Sequence, residues 1–262
     1  YNDYKKNKEG NLEPWKRFIQ ALPSDNKMLQ PGYLENLNRT LTGNQKERLL
    51  KGNWEYDDDP ATMCDYDKII DAFTNDFPDL GGQKYITADV ARFGSDKMVI
   101  GLWDGFRLTY VKTFPKSGID ESYQFIDGLR KEHNVPLSNV ICDEDGVGGG
   151  LVDFLKCKGF LNGSKPMKDE KYTNLQSQCA YKLAEQINKG KIYLGVKDQT
   201  MKQEIIEELE QLKRKDVDID GNFKMGIVPK DEVKKMLGRS PDYRDMLLMR
   251  MWFEYRRTLT FY

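Results

Sequence analysis

The sequence predicts an α/β domain in which a mixed β-sheet is flanked by helices, with an N-terminal helical linker segment in front of it. Three β-prone runs, at 85–87, 98–103 and 107–114, follow one another closely, and the Asp-Gly pair between the last two is a strong hairpin signal. A stretch with helical spacing at 119–131 and a short β-prone run at 138–143 come next. A strand, a helix and a second strand after such a meander indicate a mixed sheet with a right-handed crossover.

Helical periodicity accounts for much of the remaining chain. The predicted helices cover 31–41, 45–51 and 65–73 before the sheet, and 151–158, 173–189, 200–214 and 240–252 after its main strands. A brief strand is predicted at 192–194 and a turn at 220–221. Ser240 and Pro241 are typical of the N-cap and the first position of a helix, so the start of the last helix is well marked.

A domain boundary is predicted at the Pro, Gly and Gly residues within 78–82. Residues 1–80 are then a linker or small subdomain, and residues 81–262 form the α/β domain. The acidic run at 53–60 ends in proline and is typical of a solvated linker. Because the chain starts at Tyr1 and not at methionine, we expect it to be a piece of a longer protein.

The composition describes a soluble globular protein and disfavours several kinds of catalysis. Of the 262 residues, 39% are hydrophobic and 32% are charged, and no apolar run approaches the roughly 20 residues of a membrane span. The four cysteines lack C-x-x-C spacing and histidine partners, so they indicate free thiols of a cytoplasmic-type protein rather than a zinc site. With His133 as the single histidine, Ser-His-Asp and Cys-His catalysis are disfavoured.

Acidic residues stand at the ends of two predicted strands and at the start of the last predicted helix. Asp89 ends the first strand, Asp143 ends the later one, and Asp242 and Asp245 fall in the first turns of the helix. If the two strands lie side by side, Asp89 and Asp143 meet at the edge of the sheet where open α/β sheets bind ligands. Asp242 and Asp245 are three residues apart, so both face one side of their helix.

Clustered carboxylates repel one another and need a compensating charge, and hard oxygen ligands favour Mg²⁺ or Mn²⁺. Two such ions about 4 Å apart can activate a water and stabilise the leaving oxygen in phosphodiester hydrolysis. The sequence therefore predicts a two-metal hydrolytic site. The alternative is that each aspartate only caps a strand, a turn or a helix, as aspartates commonly do.

Two further patterns near these acids have a structural and a functional interpretation. The glycine-rich run at 146–150 opens a helix, but the acids of 143–145 beside it favour a tight turn over a phosphate-binding loop. Because the formal net charge is only −1, DNA contacts require local clusters of basic residues, which otherwise are solvated faces. The candidate DNA-binding residues are Lys165, Lys168 and Lys171 in one loop, and Lys230, Lys234, Lys235 and Arg239 before the last helix.

Three stretches carry a family resemblance: Asp-Val-Ala-Arg-Phe-Gly-Ser-Asp at 89–96, Ile-Cys-Asp-Glu-Asp-Gly-Val-Gly-Gly-Gly-Leu-Val-Asp at 141–153, and Ser-Pro-Asp-Tyr-Arg-Asp-Met-Leu at 240–247. Together with the stretches at 31–37, 48–54 and 181–191, they make the chain resemble the large terminase subunits of tailed phages and prophages. The resemblance is to the C-terminal nuclease domain of these proteins and to the stretch that joins it to the packaging motor. It covers roughly residues 30–256 and implies an RNase H-like (resolvase-like) fold.

The resemblance implies a metal-dependent endonuclease that cleaves concatemeric double-stranded viral DNA. By position, Asp89, Asp143 and Asp245 match the catalytic acids that hold two Mg²⁺ or Mn²⁺ ions. The family has a small residue in place of Arg244 and alanine in place of Met246. The third ligand therefore stays open between Asp245 and its neighbour Asp242, or the acids Glu144 and Asp145.

The resemblance also implies partners and a location. A packaging ATPase domain is expected to precede this chain, and a small terminase subunit and a portal ring are expected partners, in the cytoplasm of the infected or lysogenic host cell. No membrane association is expected. The sequence contains no G-x-x-x-x-G-K-[ST] motif, so we expect no ATP site in this chain.

Three rival interpretations remain open at this stage. A Holliday-junction resolvase or transposase-like nuclease would use the same fold on branched DNA. An actin-like nucleotide-binding module would use the Asp-x-Asp-Gly-x-Gly-Gly-like run as a phosphate loop, although such modules need two lobes and a longer chain. In a non-catalytic docking domain for DNA or the portal, the acids would cap strands and helices without binding a metal.

Overall fold

A computed structural model describes residues 14–16, 19, 21–40, 46–52, 59–75, 82–90, 97–114, 118–145, 148–219 and 222–256. The chain divides into two compact units, Tyr1–Pro60 and Ala61–Tyr262. The smaller unit contains helix α1 (Tyr33–Thr40) and a π-helical turn, Lys46–Leu50, where the sequence predicts a short helix.

The larger unit is built on a six-stranded mixed sheet with the order β5-β4-β1-β2-β3-β6. Strand β2 lies antiparallel between β1 and β3, whereas β4 is parallel to β1, so the predicted meander and crossover are both confirmed. The strands are β1 (Lys84–Asp89), β2 (Met98–Asp104), β3 (Arg107–Phe114), β4 (Val140–Asp143), β5 (Lys158–Phe160) and β6 (Tyr193–Leu194). A separate two-stranded sheet pairs β7 (Arg214–Ile219) with β8 (Asn222–Ile227).

Helices cover both faces of the large sheet, which explains why its central strands are apolar at almost every position. Alternate residues of β1 point to opposite cores: Tyr85 belongs to one hydrophobic cluster, and Ile86 and Ala88 belong to the other. The helices of this unit are α2 (Tyr66–Asp71), α3 (Ile119–Glu132), α4 (Gly148–Leu155), α5 (Leu175–Asn188), α6 (Gln199–Glu210), α7 (Lys230–Leu237) and α8 (Asp242–Arg256).

Helix α8 is the central helix of the first core, where it contacts β1, β2, β4, α5 and α6. It is buried on nearly every side, including its charged residues Arg244 and Arg250. The Arg250 guanidinium donates to the carbonyl of Gly105 at 2.9 Å and pairs with Glu254 at 2.8 Å. A helix buried in this way needs an ionic or hydrogen-bond partner for each charge.

Several elements differ in extent from the prediction. Helix α4 begins at Gly148 and ends at Leu155, since Lys156 adopts a positive φ of 52° and the chain then enters β5. Strands β5, β7 and β8 and helix α7 are absent from the sequence-based assignment, because each is short or carries mixed polar and apolar residues. The turn predicted at 220–221 lies outside the described residues.

The division at residue 60 also differs from the boundary predicted at 80. Met63, Cys64, Ile69 and Ala72 are buried in the same core as α8, because α2 packs on α5 and α6. Residues 61–75 are therefore part of the larger unit. Among the described residues, none of the helices is long and apolar enough to span a membrane.

Candidate metal centre

Asp89 and Asp143 lie next to each other because β1 and β4 are parallel neighbours in register. The pairing of Ala88 with Cys142 puts the two aspartates at the next position of each strand, at the same edge of the sheet. The first turn of α8 brings Asp242 and Asp245 to this edge. All four side chains are buried, with 4 to 9% of their surface exposed.

Lys230, the first residue of α7, places its ammonium group within this group of acids. Its Nζ lies 2.7 Å from Oδ2 of Asp245 and 4.0 Å from Oδ2 of Asp89. Burial by itself lowers the pKa of Lys230, but the Asp245 and Asp89 carboxylates outweigh it and hold that pKa above its usual value. The lysine therefore stays charged and acts as the counter-ion of the acids.

The acids do not share one electrostatic environment. Burial raises the pKa of Asp89 well above its usual value, with Lys230 opposing the shift and the neighbouring aspartates adding to it. Burial likewise raises the pKa of Asp143 to about 6. Burial also acts on Asp245, but the charges of Arg244 and Lys230 together hold the pKa of that carboxyl below its usual value.

Asp242 and Asp245 have different partners although they share one helical turn. Oδ1 of Asp245 accepts hydrogen bonds from Nε and Nη2 of Arg244 at 3.0 and 2.9 Å, and its Oδ2 faces Lys230. Oδ2 of Asp242 instead accepts from the backbone N–H of Lys97, at 2.9 Å. Asp242 thus fastens the start of β2 to α8, whereas Asp245 points toward Asp89.

Asn162 is a member of the site that the sequence analysis missed. Its side-chain amide donates to Oδ2 of Asp145 at 2.7 Å, and its backbone N–H donates to the same oxygen at 3.1 Å. The backbone N–H of Asp145 in turn donates to Oδ1 of Asp143 at 3.1 Å. Asn162 follows β5, a three-residue strand that leaves too weak a pattern to be found in a single sequence.

Acidic residues of helix α6 hold the first turn of α8 in place through hydrogen bonds and ion pairs. The fully buried Glu208 accepts a hydrogen bond from the backbone N–H of Arg244 at 2.8 Å and pairs with the guanidinium of Arg239. Arg239 also reaches Glu207, at 3.2 Å. One turn earlier on α6, Glu204 pairs with the ammonium of Lys97 at 2.9 Å.

Two of the seven basic residues predicted to contact DNA are thus engaged inside the protein. Lys230 contacts Asp89 and Asp245, and Arg239 contacts the acids of α6, so neither presents a free charge to the surface. Both belong to, or directly follow, helix α7, which the sequence analysis did not predict. The remaining five lie at the surface: Lys165, Lys168, Lys171 and Lys235 are exposed and Lys234 is half-buried.

The loop that carries three of these lysines lies beside the small sheet. The carbonyl of Lys171 accepts from the backbone N–H of Met225 on β8 at 2.9 Å, and Thr173 donates back to Met225 at the same distance. The loop and β8 therefore form one surface. Two predicted features cannot be placed here, since residues 91–96 and the first two glycine-run positions, 146 and 147, lie outside the described residues.

The residues of the site fit a hard divalent cation. As they stand, no three Asp, Glu, His or Cys side chains of the described segments are grouped tightly enough to hold a metal ion, and the Lys230 ammonium contacts both Asp89 and Asp245. However, the four buried aspartates have only two cationic side chains among them, Lys230 and Arg244, and the pKa values of Asp89 and Asp143, which burial raises, are typical of carboxyls that lack a sufficient counter-charge. Carboxylate oxygens in excess are the ligands that Mg²⁺ and Mn²⁺ prefer.

Comparison with known proteins establishes the fold. No family model and no curated protein matches the sequence. Among solved structures, the nuclease domain of the large terminase subunit gp2 of bacterial virus Sf6 is 19% identical over 72% of this chain and 98% of that domain, with a TM-score of 0.63. Lysine-to-alanine mutants of the same gp2 domain, one with calcium and one with manganese and beta-thujaplicinol, each give a TM-score of 0.62. The chain therefore shares the fold of this nuclease domain, and the predicted RNase H-like fold is confirmed.

Proposed function

We propose that this chain is the metal-dependent endonuclease domain of a viral DNA-packaging terminase, which cleaves concatemeric double-stranded DNA by phosphodiester hydrolysis. The observation that carries the proposal is the buried group of Asp89, Asp143 and Asp245 at the end of two parallel strands. A chain that only needed capping groups would not bury three carboxylates around one lysine, since each costs free energy to desolvate. The fold shared with the Sf6 nuclease domain supports this assignment.

In this proposal, Asp89, Asp143 and Asp245 are the catalytic acids and hold two Mg²⁺ or Mn²⁺ ions. Such ions, when bound, supply an activated water and neutralise the charge on the leaving oxygen. Asp145 at the rim adds a ligand beside Asp143, and Asn162 orients both acids through its hydrogen bonds. The Sf6 gp2 structures that contain calcium and manganese support the use of a divalent metal.

Asp245 is the better candidate for the third ligand than Asp242. Asp245 and Asp89 both contact the Lys230 ammonium, so their carboxyls lie close together, whereas the hydrogen bond from the Lys97 N–H holds the Asp242 side chain at the start of β2. Asp242 therefore holds the start of β2 in place and supports the metal centre from the side. Arg244, which departs from the small residue of the family, fixes one oxygen of Asp245 and leaves the other directed at the site.

Lys230 has a role of its own in the proposed function. Without a metal it neutralises Asp89 and Asp245, and its ammonium must move away when a divalent cation binds them. A displaced Lys230 ammonium would be free to neutralise a phosphate of the DNA, which is the role that the sequence predicts for this residue.

The five lysines that lie at the surface, four of them exposed and Lys234 half-buried, are the proposed contacts with double-stranded DNA. Lys165, Lys168 and Lys171 line the loop beside β8, and Lys234 and Lys235 lie on α7, which starts at the metal centre. Contacts of this kind neutralise phosphates without reading the sequence, and they weaken as salt rises. The proposed partners within a packaging machine are an ATPase domain in the same protein, a small terminase subunit and a portal ring, in the host cytoplasm.

Conversion of supercoiled plasmid to nicked and linear forms tests the proposed function. We expect the chain to cut in Mn²⁺ or Mg²⁺ and not in EDTA, and we expect Asp89→Asn and Asp245→Asn to abolish cutting. Asp120→Asn, at an exposed acid of α3, is the matched control and should cut like the parent chain. Folded protein that binds DNA but never cuts with metal would contradict the proposal in favour of a docking domain. Cutting confined to branched DNA would favour a resolvase.

A further inference from the structure

Two cysteines touch each other close to the metal centre but outside it. Cys142 on β4 is fully buried, and Cys157 lies half-buried in the turn between α4 and β5. Their sulfur atoms are 3.7 Å apart. Cys64 and Cys179, the other two cysteines, are buried in the core that contains α8, on the opposite side of the sheet.

The fold brings this pair together through the parallel strands β4 and β5. Cys142 is paired with Gly159, so Cys157, two positions before Gly159, projects to the same side as Cys142. The positive φ of Lys156 turns the chain sharply out of α4 just before Cys157. A disulfide has an S–S length of about 2.05 Å, so bond formation requires the two sulfur atoms to approach each other by less than about 2 Å.

The two thiols differ in their access to solvent and in their chemistry. The hydrogen bond between Cys142 and Cys157 stabilises the Cys157 thiolate, so the pKa of Cys157 is below its usual value despite partial burial, and the neighbouring Lys158 adds to the shift. The side chain of Cys157 is also partly exposed. Burial raises the pKa of Cys64 to about 12 and raises that of Cys179 further. Cys157 is therefore the thiol that reacts first with an oxidant from solvent. Cys142 is placed to attack the oxidised sulfur of Cys157 and form a disulfide with it.

We propose that Cys157 and Cys142 form a reversible disulfide on exposure to hydrogen peroxide. The Cys157 sulfur attacks one peroxide oxygen, the O–O bond breaks, one water leaves and Cys157 becomes a sulfenic acid. The Cys142 sulfur then attacks the Cys157 sulfur, the S–O bond breaks, and the hydroxyl leaves as water with the Cys142 proton. Hydrogen peroxide is reduced to two waters, and the two thiols are oxidised to one disulfide. A dithiol reductant reverses the reaction.

The disulfide would close a short loop that contains helix α4. It joins the residue directly before Asp143 to the start of β5, and it restricts the unfolded chain over that loop. The oxidised protein should therefore melt several degrees higher than the reduced protein. This inference does not depend on nuclease activity.

Alkylation and mass spectrometry of the full chain test the inference. The protein is treated with a small molar excess of hydrogen peroxide, unfolded in denaturant and alkylated with N-ethylmaleimide. Two of the four cysteines should be protected, and dithiothreitol should restore them. After trypsin digestion, the peptide 132–156 should be joined to the dipeptide Cys157–Lys158.

Cys157→Ser is the matched variant, because it removes the partly exposed thiol and leaves the buried one in place. All three remaining cysteines should be alkylated after peroxide, and the rise in melting temperature should vanish. Protection of Cys64 or Cys179, alkylation of all four cysteines in the parent chain, or oxidation of Cys157 to a sulfinic acid without a cross-link would each overturn the inference.

Discussion

At the scale of single residues, Lys230 is the group that sets the charge of the proposed metal centre. Its ammonium contacts Asp245 and Asp89, both of which are almost fully buried. Removing it leaves carboxylates without a counter-ion, which is costly in the absence of a metal. The same removal takes away a competitor of any divalent cation that binds these oxygens.

Lys230→Met should therefore lower the free energy of unfolding in EDTA by about 2 kcal/mol. This is less than the cost of removing a fully buried partner, because about a third of the Lys230 side chain is exposed. Mn²⁺ should bind the variant at least about tenfold more tightly, since a unit charge close to the acids has been removed. Urea unfolding and calorimetric titration with Mn²⁺ measure the two effects. Lys235→Met, on the exposed face of the same helix, is the control, and equal Mn²⁺ affinity in parent and variant would contradict the role given to Lys230.

Asp143 makes stability depend on pH in a predictable direction. Because burial raises its pKa to about 6 in the folded protein, the folded state holds this proton at a pH where the unfolded chain has released it. In EDTA, the contribution of Asp143 to stability should fall by about 2–3 kcal/mol as the pH rises from about 4 to 6.

Urea unfolding of the parent chain and of Asp143→Asn across this pH range measures that contribution. The asparagine keeps an oxygen for the N–H of Asp145 but has no proton to release. The difference in stability between the two proteins should therefore change with pH. If the two curves run parallel, Asp143 does not titrate as proposed.

At the scale of secondary-structure elements, α6 determines where α8 begins. Glu208 accepts from the backbone N–H of Arg244 and pairs with Arg239, which ties the two helices together. Glu208→Ala leaves the buried N–H of Arg244 without its acceptor and removes one of the two carboxylate partners of Arg239, so it should cost about 3 kcal/mol of stability. It should also weaken Mn²⁺ binding several-fold, because Asp245 sits in the turn that loses its support.

Glu208→Gln separates this positioning role from a general loss of stability. The glutamine retains an oxygen for the Arg244 N–H while losing the ion pair, so Mn²⁺ affinity should recover more fully than stability does. Mn²⁺ titration of both variants, at a temperature where each is folded, makes the comparison. An alanine variant that binds Mn²⁺ like the parent chain would show that α6 does not position the site.

The lysine-bearing loop beside β8 gives a prediction for DNA binding. Replacing Lys165, Lys168 and Lys171 by glutamine should weaken binding to duplex DNA of any sequence. The slope of the logarithm of the binding constant against the logarithm of the salt concentration should become smaller in magnitude by up to about 3. The control removes three lysines that already pair with acids on α3 and α5: Lys131, Lys182 and Lys189. Fluorescence anisotropy over a range of salt concentrations distinguishes the two sets, and equal slopes would remove this loop from the DNA surface.

At the scale of the whole molecule, the sequence predicts the sheet well because its signals are local. The run at 107–114 and the Asp-Gly turn specify β3 and the hairpin by themselves. The crossover rule gives β4 its handedness but not its neighbour, so the sequence predicts the meeting of Asp89 and Asp143 only on the condition that their strands lie side by side. The structure meets that condition, because β4 pairs with β1.

The inner part of the site could not be predicted in the same way. In the sequence, Lys230 is one of several lysines in a polar stretch. Only the packing of α7 brings its ammonium to Asp89 and Asp245. Asn162 and Glu208 are likewise brought in by elements whose placement depends on long-range packing. Buried ionic partners follow from tertiary structure, since a sequence records their charge and not their distance.

Anomalous diffraction from Mn²⁺-soaked crystals of this chain tests the central claim most directly. We expect two manganese peaks about 4 Å apart, in contact with Asp89, Asp143 and Asp245, and a Lys230 ammonium that has moved away from the acids. Asp242 should keep its hydrogen bond to the Lys97 backbone. Lys230 still paired with Asp245 at saturating Mn²⁺, with no peak at these three carboxylates, would contradict the account.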